Sequence, residues 1–482
     1  MLARFKALLD SLGFRVKKRN GFVHLKQDNM QLNYTLSEKP SKPKQNRKIE
    51  LAPPAILSLC ILGLVVLGAV ILKLPVSTTT PISWIESFFT ATSAVTVTGL
   101  GVVDTGTRFT IFGQTVIAIL IQFGGLGLMT FAVVTIIALG GRLGFLNRTV
   151  AKEAFNQTDS DTIFSTAKAV IIFSLSVELI GFSALSIYWA GEYGISKGLF
   201  HAFFYTISAY NNAGFALSAD NLIQFVADPM VTLTISVLII VGGLGFSVWI
   251  DILRKRTWQK LTVYSRMMIL GTLGLNLGAF ILIYLLEYNN PNTFVKLTES
   301  GKWLASWFQA VSPRTAGFNT LDYSQVEDST TVLTLLLMFI GGGSLSTASG
   351  IKVVTFMLLI LASYSYIRRR EQISIFNREI APSSIHKAFS LTILSMAIAW
   401  LAIFILTLSE DAPFLDITFE VISALGTVGL SRGLTANLSD FGLIIIMFVM
   451  MIGRLGPLTF IYFFARPQHK KLRYVEIKMP IG

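Results

Sequence analysis

Thr96-Val97-Thr98-Gly99-Leu100 is the first of four similar glycine-containing segments that are spread along the chain. The other three are Asn212-Ala213-Gly214-Phe215, Thr315-Ala316-Gly317-Phe318 and Thr427-Val428-Gly429-Leu430. An aromatic residue stands ten positions before each glycine: Phe89, Phe204, Trp307 and Phe419. Serine stands six positions before three of them: Ser93, Ser208 and Ser423. Four matched segments in one chain predict four loops arranged in a ring.

The composition is that of a membrane protein. Of 482 residues, 52% are hydrophobic and only 14% are charged, and the mean hydropathy is +0.63; ordinary soluble domains are far more polar. A formal net charge of +13 could indicate a nucleic-acid partner, but in a membrane protein the placement of Lys and Arg matters more than their sum. We therefore expect no nucleic acid. The single cysteine, Cys60, lies in an apolar stretch, which excludes a disulfide framework and a thiolate metal site.

Eight apolar stretches are long enough to cross about 30 Å of hydrocarbon. They are residues 54–74, 111–139, 168–189, 230–250, 267–286, 331–366 with a break, 387–408 and 441–464. Within each successive pair, a semi-apolar segment too short to cross and return holds one of the four glycines. We predict an all-α polytopic membrane protein in which four covalently linked span, pore-loop, span repeats form a pseudo-fourfold ring around one pore. The predicted divisions are 1–53 (basic N-terminal tail), 54–140, 141–252, 253–367 and 368–465 (the repeats) and 466–482 (C-terminal tail).

A second motif repeats in the later span of each pair, and it supports internal duplication. The copies are Gly124-Gly125-Leu126-Gly127, Gly242-Gly243-Leu244-Gly245, Gly341-Gly342-Gly343 and Gly453-Arg454-Leu455-Gly456, which begin 25, 28, 24 and 24 residues after the loop glycines. Such glycines can be mistaken for a phosphate-binding loop, but no strand precedes them. Close helix packing or a hinge fits their apolar surroundings better.

The distribution of Lys and Arg predicts the orientation of the chain. The two tails and the connections 140–168, 252–268 and 367–387 hold 31 of the 40 Lys and Arg residues, whereas the opposite side holds seven. By the positive-inside rule the first side is cytoplasmic, with both termini, and the four glycine loops lie in the extracellular half.

The basic N-terminal segment has two alternative interpretations. Residues 1–53 carry twelve Lys or Arg, and residues 37–48 are rich in Ser, Lys and Pro, which favours an extended, solvated chain. Residues 1–19 either form a short amphipathic helix on the membrane surface or belong to a disordered tail, since a single short helix is only marginally stable. The apolar residues that would share one helix face are Phe5, Leu8, Leu9 and Leu12.

The repeated loops have a chemistry suited to cations. Irregular backbone at membrane depth is tolerated only where it is buried in protein or lines an aqueous cavity. Glycine admits backbone conformations that turn successive carbonyl oxygens toward a common axis, and a ring of carbonyls can replace the water around a monovalent cation. The segments before the loops, such as Ser83 to Ser93 and Phe414 to Ser423, predict half-helices whose negative C-terminal ends face the same cavity.

These features together resemble the Trk/Ktr/HKT superfamily of potassium transporters over roughly residues 54–465. The shared features are four linked units, one glycine per loop and an arginine in the last second span. Within the superfamily the chain is most similar to the bacterial Ktr membrane subunit. That similarity is carried by Asn211-Asn212-Ala213-Gly214-Phe215, Ser312-Pro313-Arg314-Thr315-Ala316-Gly317-Phe318-Asn319 and Gly453-Arg454-Leu455-Gly456-Pro457-Leu458-Thr459-Phe460.

The resemblance implies a potassium selectivity filter and a gate, and no enzymatic activity. The implied filter residues are Thr96, Val97, Thr98, Gly99, Asn211, Asn212, Ala213, Gly214, Arg314, Thr315, Ala316, Gly317, Gly426, Thr427, Val428 and Gly429. The implied gate residues are Gly341, Gly342, Gly343, Ser344, Ser346, Thr347, Ser349, Gly350, Lys352 and Arg454.

The resemblance also implies partners and a location. It predicts a homodimer in the bacterial cytoplasmic membrane and a cytoplasmic ring of regulatory subunits that bind ATP or ADP. This chain itself would carry no covalent or redox cofactor, and sodium would be a possible activator of potassium uptake.

Three charged residues within the predicted spans can each be interpreted in two ways. Arg454 would either raise an electrostatic barrier to cations or bridge helices through backbone carbonyls. Lys352 would anchor the gate, or simply extend its side chain to the interface. Glu178 would take part in a packing network or bind an ion directly.

Two other classes of membrane protein fit less well. A polytopic enzyme would need clustered His, Asp or Glu, but the four histidines are scattered over the chain. A secondary transporter with inverted repeats would place successive loops on opposite faces, whereas the charge distribution places all four on one face.

Overall fold

The computed structural model describes residues 14–19, 22–27, 36–37, 53–127, 160–344, 346–370 and 372–457. Side chains are described from residue 58 onward, except in 160–167. These residues belong to two compact units, Met1–Leu51 and Ala52–Gly482. The predicted C-terminal tail, 466–482, lies outside the described residues.

The N-terminal unit contains three antiparallel strands: β1 (Phe14–Arg19), β2 (Phe22–Gln27) and β3 (Leu36–Ser37). A helix over 1–19 is therefore wrong for its last six residues, while residues 1–13 lie outside the described ones. The reason is visible in the sequence, because apolar and basic residues alternate from Phe14 to Lys17 with the period of a strand. Asn20-Gly21, a strong hairpin signal, stands between Arg19 and Phe22, which are opposite each other in the register.

The membrane unit is built from helices that follow one another in a regular order. Its first half contains α1 (Pro53–Leu72), α2 (Trp84–Thr96), α3 (Thr105–Arg108), α4 (Ile111–Leu126), α5 (Ser160–Tyr193), α6 (Ile195–Tyr210), α7 (Pro229–Leu244) and α8 (Phe246–Lys255). Its second half contains α9 (Val263–Glu287), α10 (Glu299–Val311), α11 (Asp328–Phe339), α12 (Val353–Ile367), the strands β4 (Ser374–Ile375) and β5 (Arg378–Glu379), α13 (Pro382–Ser409), α14 (Phe414–Gly426) and α15 (Asp440–Leu455). Short 3-10 turns lie at Ile223–Phe225, Trp258–Lys260, Phe294–Lys296 and Thr435–Asn437.

Several of these helices have the length and apolarity of membrane spans. Among the described residues, Lys168–Tyr193 in α5, α9 and α13 qualify, and the bent pair α7 and α8 is a fourth candidate. Their outer faces carry exposed large apolar side chains, such as Leu179 (64% exposed), Ile187 (79%) and Phe404 (63%). Soluble proteins rarely expose apolar surface on this scale, so the chain is a membrane protein with several apolar spans.

Two of the four predicted later spans are interrupted at their glycine motifs. An uninterrupted helix over 230–250 is wrong, because α8 leaves α7 at an angle of 91°. Gly245, between them, has φ +94°, a conformation that side chains with a Cβ avoid. The predicted break within 331–366 is confirmed, since α11 ends at Phe339 and α12 begins at Val353.

The remaining two later spans are described only in part. Helices α4 and α15 end before Gly127 and Gly456, whose φ values of +79° and +84° resemble that of Gly245. Residues 128–139 and 458–464 of these predicted spans lie outside the described ones. The glycine motif thus ends three of the four later helices at the same position.

Candidate functional site

Four short helices, α2, α6, α10 and α14, lead into the four glycine loops. Helix α2 begins with a capping box in which Ser83 and Glu86 satisfy each other's backbone amides. Each loop has two residues with positive φ, the glycine itself and the residue two positions before it. The earlier residues are Val97 (+58°), Asn212 (+58°), Thr315 (+88°) and Thr427 (+48°), and the glycines are Gly99 (+92°), Gly214 (+70°), Gly317 (+74°) and Gly429 (+96°). The predicted loops therefore share one unusual backbone conformation, which non-glycine residues adopt only when their surroundings impose it.

The loops contact one another through their glycines in a closed cycle. A Cβ added at any loop glycine would overlap the carbonyl oxygen that precedes the glycine of the next loop. The pairs are Gly99 with Ala213, Gly214 with Ala316, Gly317 with Val428, and Gly429 with Thr98. The last pair returns to the first loop. The structure thus brings together four loops of which the first and the last lie more than 300 residues apart along the chain.

A serine at the end of each short helix forms a hydrogen bond with the backbone of the loop that follows. The hydroxyls of Ser93 and Ser423 accept hydrogen bonds from the amides of Gly99 and Gly429, both at 3.0 Å. Ser208 donates instead to the carbonyl of Phe215 at 2.8 Å. The hydroxyl is therefore used in each of these three loops, although the partner differs.

The third loop has the same support one residue closer to its glycine. Ser312, five positions before Gly317, donates to the carbonyl of Phe318. The fully buried aromatic residue is Phe308, nine positions before the glycine, whereas Trp307 at the expected position is only partly buried. Phe89, Phe204 and Phe419 are fully buried at the ten-residue spacing. The third unit thus has one residue fewer between its buried aromatic residue and its glycine. Its serine therefore does not stand at the six-residue spacing found in the other three units.

Three of the four predicted filter segments begin with a residue whose side chain is hydrogen-bonded to other protein groups, and the fourth begins with Gly426. Thr96 donates to the carbonyl of Thr92 at 2.7 Å, and Asn211 donates to Gln122 at 2.7 Å. Arg314 donates to Asn276 of α9 at 2.8 Å. These contacts leave backbone groups, rather than charged side chains, as the repeating element of the loops.

The predicted gate segment folds onto the preceding glycine motif. The amide of Gly343 donates to the carbonyl of Gly243 at 2.8 Å, and the hydroxyl of Thr347 donates to the carbonyl of Tyr210 at 3.3 Å. Thr347 and Ser349 are buried, with 1% and 4% of their surfaces exposed. The segment therefore reaches the end of α6, directly before the second loop. Leu345 lies outside the described residues.

The other predicted gate residues lie within the same segment. The amide of Gly341 donates to the carbonyl of Ile351 at 2.8 Å, and the amide of Val353 donates to the carbonyl of Gly342 at 3.2 Å. Ser346 donates to the carbonyl of Gly343 at 2.7 Å, while the amide of exposed Ser344 donates to the Tyr264 hydroxyl at 2.8 Å. The last two residues are Gly350, with φ +69°, and Lys352. Lys352 Nζ donates to the carbonyl of Ala348 at 2.8 Å, which is an anchoring contact.

Arg454 connects the gate segment to the first glycine motif. Its guanidinium donates to the carbonyl of Thr347 at 2.6 Å and to the hydroxyl of Ser349 at 3.1 Å. On the other side it donates to the carbonyl of Gly125 at 3.3 Å and to that of Gly124. Of the two interpretations of Arg454, the structure contains the bridge through backbone carbonyls.

Comparisons with known proteins agree with this architecture. The family model described as "TrkH: Cation transport protein" matches residues 64–474. The chain is 48% identical to the Ktr system potassium uptake protein B of Bacillus subtilis, covering 90% of this chain and 98% of that protein. It is 43% identical to the protein of the same name from Vibrio alginolyticus, covering 88% and 93%.

The fold is also similar to a solved structure. The crystal structure of the potassium transporter TrkH from Vibrio parahaemolyticus matches with a TM-score of 0.71 and 20% sequence identity, over 88% of this chain and 86% of that one. The resemblance inferred from the loops and glycine motifs is thus confirmed by sequence and by fold. Transport, and not enzymatic catalysis, is the activity of this family. The chain belongs to the TrkH family of cation transport proteins.

Proposed function

We propose that the protein takes up potassium across the bacterial cytoplasmic membrane. The ion would pass through one pore at the centre of a pseudo-fourfold ring of four repeats. The closed cycle of contacts among the four glycine loops carries this proposal. Potassium is the expected ion because the two Ktr relatives are named as potassium uptake proteins. The filter would consist of the four quartets that end at Gly99, Gly214, Gly317 and Gly429.

The ion would be held by backbone carbonyls. Residues with positive φ two positions apart turn the backbone of each loop in the same way, so carbonyls of the four loops can face a common axis. Helices α2, α6, α10 and α14 direct their C-terminal ends to these loops, and the partial negative charge of a helix C-terminus favours a cation. With one glycine in each loop, fewer carbonyl layers are ordered than in a TVGYG filter. We therefore expect weaker discrimination against sodium.

The gate would be the segment from Gly341 to Lys352, held in place by Arg454. The contacts of Thr347 with Tyr210 and with Arg454 support this role, because they join the segment to the second loop and to α15. A guanidinium here would also oppose cation passage electrostatically. Opening would require Arg454 to release the carbonyls that it binds on both sides.

The proposed assembly is a homodimer that carries a cytoplasmic ring of nucleotide-binding regulatory subunits. ATP or ADP would bind to that ring, and sodium would stimulate uptake. The similarity to proteins named as components of a Ktr system supports a second component. The excess of Lys and Arg on one side of the predicted spans supports cytoplasmic termini.

Growth rescue tests the proposed function. A bacterium that lacks its potassium uptake systems should grow at low potassium when it produces this chain with a regulatory subunit, and uptake should be weaker or unregulated with the chain alone. Addition of sodium tests stimulation in the same cells. Failure to restore growth, with the protein present in the membrane by immunoblot, would contradict the proposal.

A further inference from the structure

A polar cluster lies at the base of the second glycine loop. It consists of Gln122 from α4, Glu178 from α5 and Asn211 at the end of α6, and we call it the loop-base cluster. Gln122 Nε2 donates to both carboxylate oxygens of Glu178, at 2.8 and 3.1 Å. Asn211 Nδ2 donates to Gln122 Oε1 at 2.7 Å and lies 3.5 Å from Glu178 Oε1. Three helices are thus joined at the residue that opens the second filter segment.

Two members of the cluster, Glu178 and Asn211, are buried, and Gln122 is partly buried. Glu178 is 8% exposed and Asn211 is 0% exposed. Hydrogen bonds between buried polar groups are costly to lose, because the abandoned group finds no water as a substitute partner. The arrangement therefore constrains Asn211 more strongly than a surface network would.

The direction of the hydrogen bonds gives Glu178 a specific role. Both carboxyl oxygens of Glu178 accept from Gln122 Nε2, so the amide nitrogen of Gln122 faces Glu178. The amide oxygen of Gln122 must then face Asn211, whose own Nδ2 donates to it and to the carbonyl of Ile207 at 2.9 Å. The orientation of one carboxylate is in this way transmitted through Gln122 to the loop.

Neighbouring contacts hold the same end of α6. Ser174, one turn before Glu178 on α5, accepts a hydrogen bond from the Tyr210 hydroxyl at 2.8 Å. Asn211 also packs closely on Gly125, since a Cβ at that glycine would overlap its side chain. The carbonyl of Gly125 in turn accepts from Arg454. The base of the second loop is thus joined to α5 and, through Gly125, to the proposed gate.

The four loops differ in this support. Thr96, at the equivalent place in the first loop, bonds within its own segment to Thr92 and Thr98, and Gly426 in the fourth has no side chain. Arg314 in the third binds Asn276 and Thr272 of α9. The second loop is the one whose base is linked to a carboxylate through a hydrogen-bonded amide.

We propose that Glu178 is a positioning residue that sets the geometry of the second loop through Gln122 and Asn211, and thereby contributes to the preference for potassium over sodium. This inference rests on the proposed function, since it assigns the four loops to an ion filter. Glu178 need not touch the ion. Its effect reaches the carbonyls of the loop through two hydrogen bonds.

Ion selectivity of isosteric variants tests the inference. Glu178→Gln keeps the size of the side chain but gives Gln122 an amide partner of ambiguous orientation, and Gln122→Leu removes the link while leaving Glu178 in place. Each should lower the ratio of potassium to sodium uptake about threefold or more, since each disturbs a hydrogen bond to the buried side chain of Glu178, which is costly to lose. Ser176→Ala is the matched control, because Ser176 lies on the exposed side of α5 and, among the described residues, its hydroxyl bonds only to the carbonyl of Ile172; its ratio should equal that of the wild type.

The measurement uses potassium and sodium uptake into proteoliposomes that contain the full chain, with thermal unfolding in detergent as a check of folding. If Glu178→Gln fails to fold, Gln122→Leu carries the test. An unchanged ratio in folded variants, or an equal loss of both fluxes, would overturn the inference and leave Glu178 a purely structural role. Failure of the proposed function would appear separately, as absence of potassium uptake by the wild-type protein.

Discussion

Two features of the backbone require glycine at the centre of each of the four loops. The φ values of these glycines, between +70° and +96°, are unfavourable for residues with a Cβ. Their Cα atoms also lie against a carbonyl oxygen of the next loop. A side chain at one glycine would therefore disturb two loops.

Replacement of Gly99 by serine should lower the ratio of potassium to sodium uptake about tenfold, through displacement of the Ala213 carbonyl and strain of about 1–3 kcal/mol at this φ. Gly101→Ser is a matched control, because Gly101 has no positive φ, and a Cβ there would meet only the Val103 carbonyl at 3.4 Å. Uptake assays with competing sodium measure the ratio. A wild-type ratio in the Gly99→Ser protein would contradict the filter assignment.

Substitutions of Arg454 separate its two possible roles. Arg454→Gln removes both the charge and the bridge and should raise uptake severalfold. Arg454→Lys keeps the charge but cannot reproduce contacts with the gate segment and with Gly124 and Gly125 at once.

Initial rates of potassium uptake, normalised to the amount of protein in the membrane, distinguish the outcomes. If the bridge holds the gate closed, Arg454→Lys should also be faster than the wild type. If the charge alone limits conduction, Arg454→Lys should remain slow. Loss of uptake in both variants would indicate that Arg454 is needed for folding.

At the scale of elements, the repeated glycine motif combines packing with a change of direction. A Cβ at Gly124, Gly242 or Gly453 would overlap the carbonyl of Val95, Tyr210 or Leu425 at the end of a short helix. The last glycine of the motif then ends the helix with positive φ. The motif therefore fixes how closely the end of the short helix packs against the later span, and also the direction in which the chain leaves that span.

The bend at Gly245 should depend on its backbone conformation. Gly245→Ala should destabilise the protein by about 1–3 kcal/mol, because φ +94° strains alanine. Gly278→Ala, within α9 and with no atom within 4 Å of an added Cβ, should instead stabilise it by about 0.5–1 kcal/mol. Thermal unfolding midpoints in detergent measure both changes. Equal midpoints for the two variants would show that the 91° bend does not need glycine.

At the scale of the whole molecule, the charge distribution predicts which loops face the cytoplasm. In a Cys60→Ala background, Asp220→Cys should react with a membrane-impermeant maleimide in intact cells, since exposed Asp220 follows the second loop on the predicted extracellular side. Gln259→Cys, in the exposed connection after α8, should react only after permeabilisation. The reverse pattern would invert the proposed topology.

Sequence alone located the four loops, the short helices before them and the break in the third later span. It did so because each feature depends on local chemistry: glycine for positive φ, apolar length for a membrane span and small residues for a break. At Gly242–Gly245 it offered close packing or a hinge without choosing, and it drew 230–250 as one span, because an apolar run of the right length fits a straight span as well as one bent by 91°. It also passed over the Asn20-Gly21 hairpin signal and the alternation beside it.

Contacts between distant residues were decided only by the tertiary structure. The bridge made by Arg454 and the cluster of Gln122, Glu178 and Asn211 join residues whose separation in sequence follows no period. Gln122 could have been noticed as a polar residue in an apolar span, but nothing in the sequence named its partners. Local conformation is set by the residues themselves, whereas the pairing of buried polar groups depends on which helices pack together, because each group must find a partner wherever the fold provides one.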